Sequence, residues 1–281
     1  MTDWAALRFR GADRPQALIK GAGDLATGVA LRLQRSGFAV AMTEIACPTA
    51  VRRTVAFSEA VFQGRVAVEG IEGVLADEVD VSRLIARGDI PVIVDPETTL
   101  LRRLKPVLLV DAIVAKRNLG TSIDDAPAVV ALGPGFVVGR DAHAVIETCR
   151  GHTLGRVITQ GEALPNTGIP GEIGGHAGER VLRSPGDGVF RTALEIGAHV
   201  AANDVVAYVG DIPIRAPLSG VLRGLLRPGM HVGQGRKLGD IDPRGLREHC
   251  YLVSDKSLAI AGGVLEAACA LLGGVCFDTV K

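Results

Sequence analysis

The sequence predicts an α/β protein with three parts. These are a Rossmann-like parallel-sheet domain over residues 1–165, a small all-β barrel-sandwich domain over 166–250, and a C-terminal helix over 251–281 that packs on one of the two domains. Two observations lead to this class. A strand, a glycine turn, a helix and a second strand follow one another between Ala17 and Glu44, and the second half contains an internal repeat. The length of 281 residues, more than a single core usually holds, agrees with two domains.

Composition and charge narrow the classes of partner. The chain carries 31 basic and 31 acidic side chains and only 4% aromatic residues, so we expect no binding of nucleic acid. The five cysteines form no C-x-x-C pair, which predicts reduced thiols in a cytoplasmic protein and no zinc site. Residues 1–16 mix both charges and lack an apolar core, so no signal peptide is predicted.

The most apolar stretch lies near the end of the chain. Residues 257–277 contain one charge, Glu266, over a length close to that of a membrane-spanning helix. Two glycine pairs interrupt the stretch, and alanine supplies much of its apolar character. We therefore expect a buried helix with Ser254 or Asp255 as its N-cap, and no contact with a membrane.

The N-terminal half opens with the layout of a dinucleotide-binding unit. A strand over Ala17–Lys20 leads into the turn Gly21–Ala26 (GAGDLA) and a helix over Leu25–Ser36. A second strand over Phe38–Thr43 ends at the acidic residue Glu44. Glycines in such a turn let a phosphate approach a helix N-terminus, and the acid can accept hydrogen bonds from a ribose diol. The alternative is a Rossmann fold in which this turn is only structural.

Further elements extend the predicted parallel sheet. Ligands of such sheets bind outside the carboxyl ends of the strands, where Asp95 and Asp111 also fall. The remaining strands are predicted over Pro91–Val94, Val107–Val110, Ala128–Leu132 and Arg156–Thr159, and the remaining helices over Thr49–Phe62 and Asp141–Cys149.

The predicted ligand residues surround that edge of the sheet. Asp24 would repel a pyrophosphate unless its side chain turned away, and it could instead hold a metal-bound phosphate or a polar ligand. The predicted cofactor-binding residues are Gly21, Gly23, Asp24, Leu25, Thr27, Glu44, Gly133 and Gly135.

Side chains that follow the second strand supply further candidates. Arg52, Arg53 and Lys116 lie close enough in sequence to contact an anion. Cys47 is the weak candidate for a catalytic nucleophile, if the two arginines favour its thiolate. The alternative is that Cys47 is a small apolar side chain with a packing role only.

The second half contains a gapless repeat in which Ser184–Gly210 aligns with Ala216–Asp242. Short strands separated by glycine turns indicate β structure, and the pattern resembles the biotinyl/lipoyl-like barrel-sandwich fold. Carrier members of that fold present a modified lysine between the two halves, but the junction Val209–Ile214 contains no lysine. We therefore expect a structural or docking module. His199 and His231 are equivalent positions of the repeat, and we predict no metal there.

Motifs of one known family run from about Ala17 to Glu266. They are Ile19–Gly28 (IKGAGDLATG), Thr43–Ala46, Arg52–Phe57, Leu132–Phe136, Glu147–His152, Asn166–Gly168, Asp242–Arg244, Ser254–Lys256 and Gly262–Glu266. Together they resemble the YqeB family. The resemblance implies an accessory protein of a selenium-dependent molybdenum hydroxylase, acting on its molybdenum cofactor or its selenium. It implies that hydroxylase or its maturation proteins as partners, and it assigns no catalytic residue.

Three functional hypotheses follow. The first is such an accessory protein, with a nucleotide or a molybdopterin dinucleotide bound at the glycine turn, since both carry phosphate groups that suit a helix N-terminus. The second is an NAD(P)-dependent oxidoreductase, which the lack of a Tyr-x-x-x-Lys pair disfavours. The third is a non-catalytic scaffold whose β domain docks a partner enzyme.

Overall fold

The computed structural model describes residues 14–166, 168, 172 and 174–273. The chain divides into two compact units. The first holds the described residues of 1–48, 57–166 and 253–281, and the second holds 49–56 and the described residues of 167–252. Each unit is therefore assembled from stretches that are far apart in sequence. Cys276, Thr167 of one family motif and the end of the apolar stretch lie outside the described residues.

The first unit is built on one mixed sheet. Over the described residues its strands are β1 (Gln16–Lys20), β2 (Ala39–Glu44), β3 (Arg65–Val68), β4 (Ile71–Leu75), β5 (Ile90–Val94), β6 (Leu108–Asp111), β7 (Ala128–Leu132), β8 (Ala144–Ile146) and β9 (Val157–Ile158). Their order is β3-β4-β5-β2-β1-β6-β7-β8-β9. In this order, the seven neighbouring strands from β4 through β1 to β8 run parallel to one another. The two edge strands, β3 and β9, are antiparallel to their neighbours.

The first helix, α1 (Asp24–Arg35), begins directly after the glycine turn and packs on the sheet. Its buried apolar residues, among them Ala26, Val29 and Leu33, recur on one face with the period of a helix. The helix stops because Gly37 takes a left-handed φ of 101° that most side chains disfavour. This segment of strand, turn, helix and strand is the one that the sequence predicted.

The last helix, α5 (Asp255–Leu272), belongs to the first unit and packs against α1. Ser254 caps it, and its side chain accepts a hydrogen bond from the Ser257 N–H at 3.2 Å. Close packing requires glycine at position 28 of α1, because a Cβ there would lie 2.1 Å from Ser257 Oγ of α5. Among the described residues, no helix is long and apolar enough to cross a membrane.

The second unit consists of two four-stranded antiparallel sheets over its described residues. The strands are β10 (Val181–Arg183), β11 (Gly188–Arg191), β12 (His199–Val200), β13 (Val205–Val209), β14 (Ile212–Arg215), β15 (Gly220–Leu225), β16 (His231–Val232) and β17 (Lys237–Asp242). The sheet orders are β10-β17-β15-β12 and β14-β13-β11-β16. The repeat maps β11, β12 and β13 onto β15, β16 and β17. Each copy therefore places its short middle strand in the sheet of the other copy.

The predicted fold class, a Rossmann-like parallel-sheet domain followed by a barrel-sandwich domain and a helix, is wrong. The sheet of the first unit is mixed and has antiparallel strands at both edges. A doubly wound fold needs long helices between its strands, but the other helices here are only α2 (Ala60–Gln63), α3 (Val81–Arg87) and α4 (Leu100–Leu104) in the described residues. The C-terminal helix packs in the first unit, one of the two places that the sequence left open, but the two units are interleaved along the chain.

Two predicted helices are also wrong. The stretch Asp141–Cys149 contains β8, whose residues are buried throughout, and a short buried apolar run has no period that separates strand from helix. The stretch Thr49–Phe62 forms 3-10 turns at Arg53–Val55 and Phe57–Glu59 before the short α2. That stretch is also divided between the two units, at residue 57.

Candidate functional site

The parallel strands bring most of the predicted ligand residues to one edge of the nine-stranded sheet, which we call the carboxyl edge. Lys20 pairs in register with Thr43 on one side and with Asp111 on the other. The strands β2 and β5 end together, as do β7 and β8. The residues that follow these strand ends are Gly21–Asp24, Glu44, Asp95, Asp111, Gly133–Gly135 and Glu147–Arg150.

The first glycine turn leaves open space in front of Gly23. Gly23 is the N-cap of α1, with φ −66° and ψ −177°, values that any residue can adopt. A Cβ at this position would meet no atom within 4 Å. The fold itself therefore does not require glycine at position 23. A ligand that approaches the backbone here would require it.

Glu44 lies across the same turn. Its carboxylate accepts hydrogen bonds from the Ala22 N–H at 3.0 Å and from the Ile45 N–H at 2.8 Å. Both oxygens keep acceptor capacity, since a carboxylate has about four lone-pair positions. Glu44 can therefore hold the turn and still accept hydrogen bonds from a hydroxyl of a ligand.

Gly21 and Gly135 have a different role from Gly23. Their φ values of 87° and 107° favour glycine. A Cβ at Gly21 would lie 3.2 Å from the Ala112 carbonyl oxygen, and one at Gly135 would lie 2.6 Å from Arg117 Cα. The segment that follows β6 thus packs closely on both glycines, and the fold alone explains why these positions are glycine.

Lys20 and Asp111 form a buried pair behind the carboxyl edge. Lys20 is 6% exposed and Asp111 1% exposed, and Lys20 Nζ lies 3.7 Å from Asp111 Oδ2. Thr121 Oγ1 accepts a hydrogen bond from Lys20 Nζ at 2.7 Å and donates one to Asp111 Oδ2 at 2.6 Å. Asp111 was predicted to face a ligand at the carboxyl edge. Its carboxylate instead binds Lys20 and Thr121 in the interior of the protein.

Other predicted site residues are also engaged in local structure. The Thr27 hydroxyl accepts a hydrogen bond from the Phe57 N–H at 2.8 Å, and its side chain is fully buried. Asp95 accepts a hydrogen bond from the Leu100 N–H at 2.9 Å. A Cβ at Gly133 would lie 2.6 Å from Thr148 Oγ1. Among the acids of the carboxyl edge, Asp24 and Glu44 are only half-buried.

The structure places Arg52 and Arg53 in the second unit. Arg52 donates hydrogen bonds to the carbonyl oxygens of His249 and Leu252 at 2.9 and 3.1 Å. Arg53 donates to the carbonyl oxygen of Leu225 at 2.7 Å. The exposed Cys47 belongs to the first unit. The two arginines that were expected to act on Cys47 therefore belong to the second unit and bind backbone groups of that same unit.

A second cysteine, Cys149, lies at the carboxyl edge, and our reading of the sequence did not select it. Its N–H donates a hydrogen bond to Glu147 Oε1 at 2.7 Å, and Glu147 is buried. The neighbouring Arg150 pairs with Asp255 at the start of α5, at 3.0 Å. The family motifs Glu147–His152 and Ser254–Lys256 contain all of these residues and were the available signal.

The described residues contain no group of three or more His, Cys, Asp or Glu side chains that is placed to hold a metal ion. The two histidines of the repeat, His199 and His231, begin β12 and β16, which belong to different sheets.

Comparison with known proteins identifies one curated relative at high identity. No model of a known protein family matches the chain. The chain is 53% identical over 256 residues to YqeB, an uncharacterized protein of Escherichia coli (strain K12). The alignment covers 91% of this chain and 47% of YqeB, so the chain spans about half the length of that relative.

Solved structures that align with the chain have little overall similarity to it. The ectoine utilization protein EutE (DoeB) from Ruegeria pomeroyi, with product bound, aligns at 14% identity and a TM-score of 0.24, over 81% of this chain and 85% of that chain. An aspartoacylase family protein from Mesorhizobium loti aligns at 14% identity and a TM-score of 0.26, with the same coverage. TM-scores this low establish neither a shared fold nor a shared activity.

Proposed function

We propose that the chain, which is 53% identical to YqeB over 91% of its length, is an accessory protein in the maturation of a selenium-dependent molybdenum hydroxylase. We propose further that its carboxyl edge binds a nucleotide-like ligand. The accessory role is supported by the family motifs along the chain. The ligand is supported by the turn between β1 and α1.

The observation that carries the ligand proposal is the open space at Gly23. This position has no conformational or steric reason to be glycine in the free protein. It stands at the N-terminus of α1, where unpaired backbone N–H groups and the helix dipole favour a phosphate. A pyrophosphate that approaches the main chain here would explain the residue.

The neighbouring acids agree with a ligand that has both phosphate and hydroxyl groups. Glu44 retains acceptor capacity beside the turn, which suits a ribose diol. Asp24 opens α1 and would repel a phosphate that came close to its carboxylate. The ligand therefore contacts the turn at the Gly23 backbone with the Asp24 side chain turned away.

Isothermal calorimetry on the full chain tests the ligand. We expect binding for at least one of NAD(P), ATP, CTP and molybdopterin cytosine dinucleotide, with the dinucleotides binding more tightly than inorganic pyrophosphate. Uniform failure to bind would exclude the ligand proposal. Turnover of NAD(P) with a change of nicotinamide absorbance would favour the oxidoreductase alternative instead.

A cellular experiment tests the accessory role separately. Cells that produce a selenium-dependent molybdenum hydroxylase are compared with and without this chain. We expect the hydroxylase polypeptide at the same level in both, with its activity lost when the chain is absent. Equal specific activity in the two strains would contradict the accessory role, whatever the calorimetry shows.

A further inference from the structure

One cleft of the second unit is built symmetrically from the two copies of the repeat. It has a volume of about 250 Å³, and each residue of its lining has its equivalent, 32 positions away, in the lining as well. A cleft lined in this way lies on the pseudo-twofold axis that relates the two copies. Three of the equivalent pairs are Arg183 with Arg215, Pro185 with Pro217, and Leu182 with Ile214.

The two arginines of the cleft are held in the same way in each copy. Arg183 Nη1 donates a hydrogen bond to the Gly235 carbonyl oxygen at 3.0 Å, and Arg215 Nη1 donates one to the Asn203 carbonyl oxygen at 2.9 Å. Asn203 and Gly235 are also equivalent positions of the repeat. Each contact uses one nitrogen of the guanidinium group. The other N–H donors of the fork are left for a ligand, since arginine has five of them.

The charge of the two cleft arginines is not neutralised within the described part of the chain. Both side chains are exposed, and neither has an acidic partner among the described residues. The lining of the cleft contains no acid either. In the same unit, Arg180 and Arg223 by contrast both bind Asp240. Two guanidinium groups that line one cleft without a counter-ion favour a ligand with negative charges.

The cleft also lies beside two sheet edges. The strands β10 and β14 each stand at the end of a four-stranded sheet, with a paired neighbour on one side only over the described residues. Such edges invite the addition of a further strand. The prolines of the lining, Pro185, Pro213 and Pro217, carry no N–H for that pairing. We therefore expect side chains, rather than an added strand, to carry recognition here.

We propose that this cleft is a docking site for an acidic segment of a partner protein, in which two carboxylates flank a short apolar stretch. The carboxylates bind Arg183 and Arg215, whose planar forks match carboxylate geometry. The apolar side chains lie on the prolines and on the buried Leu182 and Ile214. A whole small molecule fits less well, because its sites usually measure about 300–1,000 Å³. The proposal concerns the second unit alone and does not depend on a nucleotide at the carboxyl edge.

Display of random heptapeptides on phage, selected on the immobilised full chain, tests the chemistry that the cleft accepts. We expect the wild type to enrich peptides with two acids separated by apolar residues, and R183Q/R215Q to enrich none of them. A synthetic copy of an enriched peptide, followed by fluorescence anisotropy, should bind the double variant about tenfold more weakly. Because the two arginines are equivalent, R183Q and R215Q alone should each cause a similar part of this loss.

Two controls separate recognition from net charge and from misfolding. R65Q/R102Q removes two positive charges from exposed residues of the first unit and should bind the peptide as the wild type does. R183E/R215E should prefer the same peptide with lysines in place of its acids, which a misfolded chain would not do. Enrichment of peptides without acids, or equal binding by the wild type and R183Q/R215Q, would overturn the proposal. A second copy of this chain in the cleft would also overturn it, and sedimentation would then show a wild-type dimer that R183Q/R215Q does not form.

Discussion

At the carboxyl edge, Gly21 and Gly23 are two residues apart but are glycines for different reasons. Gly21 has a φ of 87° and lies against the backbone of Ala112, so the fold itself selects it. Gly23 has an ordinary φ and empty space where a side chain would be. Substitution by alanine therefore distinguishes a requirement of folding from a requirement of binding.

We expect G23A to keep the unfolding free energy within about 0.5 kcal/mol of wild type and to weaken binding of the nucleotide-like ligand at least tenfold. G21A should cost about 1 kcal/mol or more, because alanine tolerates this positive φ poorly. Urea unfolding measures the first quantity and calorimetry the second. G262A, an alanine substitution in open space on α5, is the matched control and should bind normally. Normal binding by G23A would remove the main support for the ligand.

Single residues were predictable from sequence where their partners are close in the chain. The turn from Gly21 to Asp24 and the acid at Glu44 follow from local pattern alone. Thr27 could not be assigned in this way, because its hydroxyl is engaged by Phe57, 30 residues away. Cys149 was missed because the connection of its turn to α5 depends on Arg150 and Asp255, which are 105 residues apart.

At the scale of elements, α5 is held by its contacts with α1 and with the segment that follows β8. The sequence predicted a buried helix with Ser254 or Asp255 as its N-cap, and the helix is confirmed with Ser254 in that position. It did not show where that helix packs. Gly263 touches the Gly155 backbone, and a Cβ at position 263 would lie 2.1 Å from the Gly155 carbonyl oxygen. Gly262, one residue earlier, faces open space.

This pair of adjacent glycines gives a prediction with an internal control. We expect G263A to destabilise the first unit by about 1–3 kcal/mol, because the added methyl group must displace backbone. G262A should instead stabilise it by about 0.5–1 kcal/mol, since alanine favours helix over glycine. Urea unfolding followed by circular dichroism measures both. Equal effects of the two substitutions would contradict the packing described for α5.

At the scale of the whole molecule, the chain leaves the first unit for the second twice and returns to it twice. Residues 49–56 join the second unit, where the Leu225 N–H donates to the Val51 carbonyl oxygen at 2.7 Å. Sequence reasoning assigned consecutive residues to each domain, because periodicity and turn patterns report only local order. The 32-residue repeat was visible since it repeats the strand pattern itself. The return of the chain to the first unit at Val253 depends on long-range packing that no local pattern encodes.

The second unit also contains a buried ion cluster that makes its stability depend on pH. Asp240 is fully buried, and Arg180 and Arg223 each donate a hydrogen bond to its Oδ2 at 2.8 Å. Burial is the largest single influence and raises the pKa of Asp240. The attraction of Lys237, Arg223 and Arg180 outweighs burial and lowers the pKa from 3.8 to about 2.

Because the folded pKa of Asp240 is below its unfolded value, the ionised carboxylate stabilises the fold fully above pH 3.8, and this contribution is lost as the pH falls towards 2. We expect the second unit to lose about 2 kcal/mol over this range on account of Asp240. Tyrosine fluorescence during urea unfolding reports this unit, since Tyr208 and Tyr251 both belong to it. D240N should cost about 3–5 kcal/mol near neutral pH, because it removes the buried carboxylate that Arg180 and Arg223 both bind, and should flatten the pH dependence. D211N, at a fully exposed carboxylate, should change neither. A D240N variant with the wild-type pH slope would show that the stability of this unit at low pH is set elsewhere.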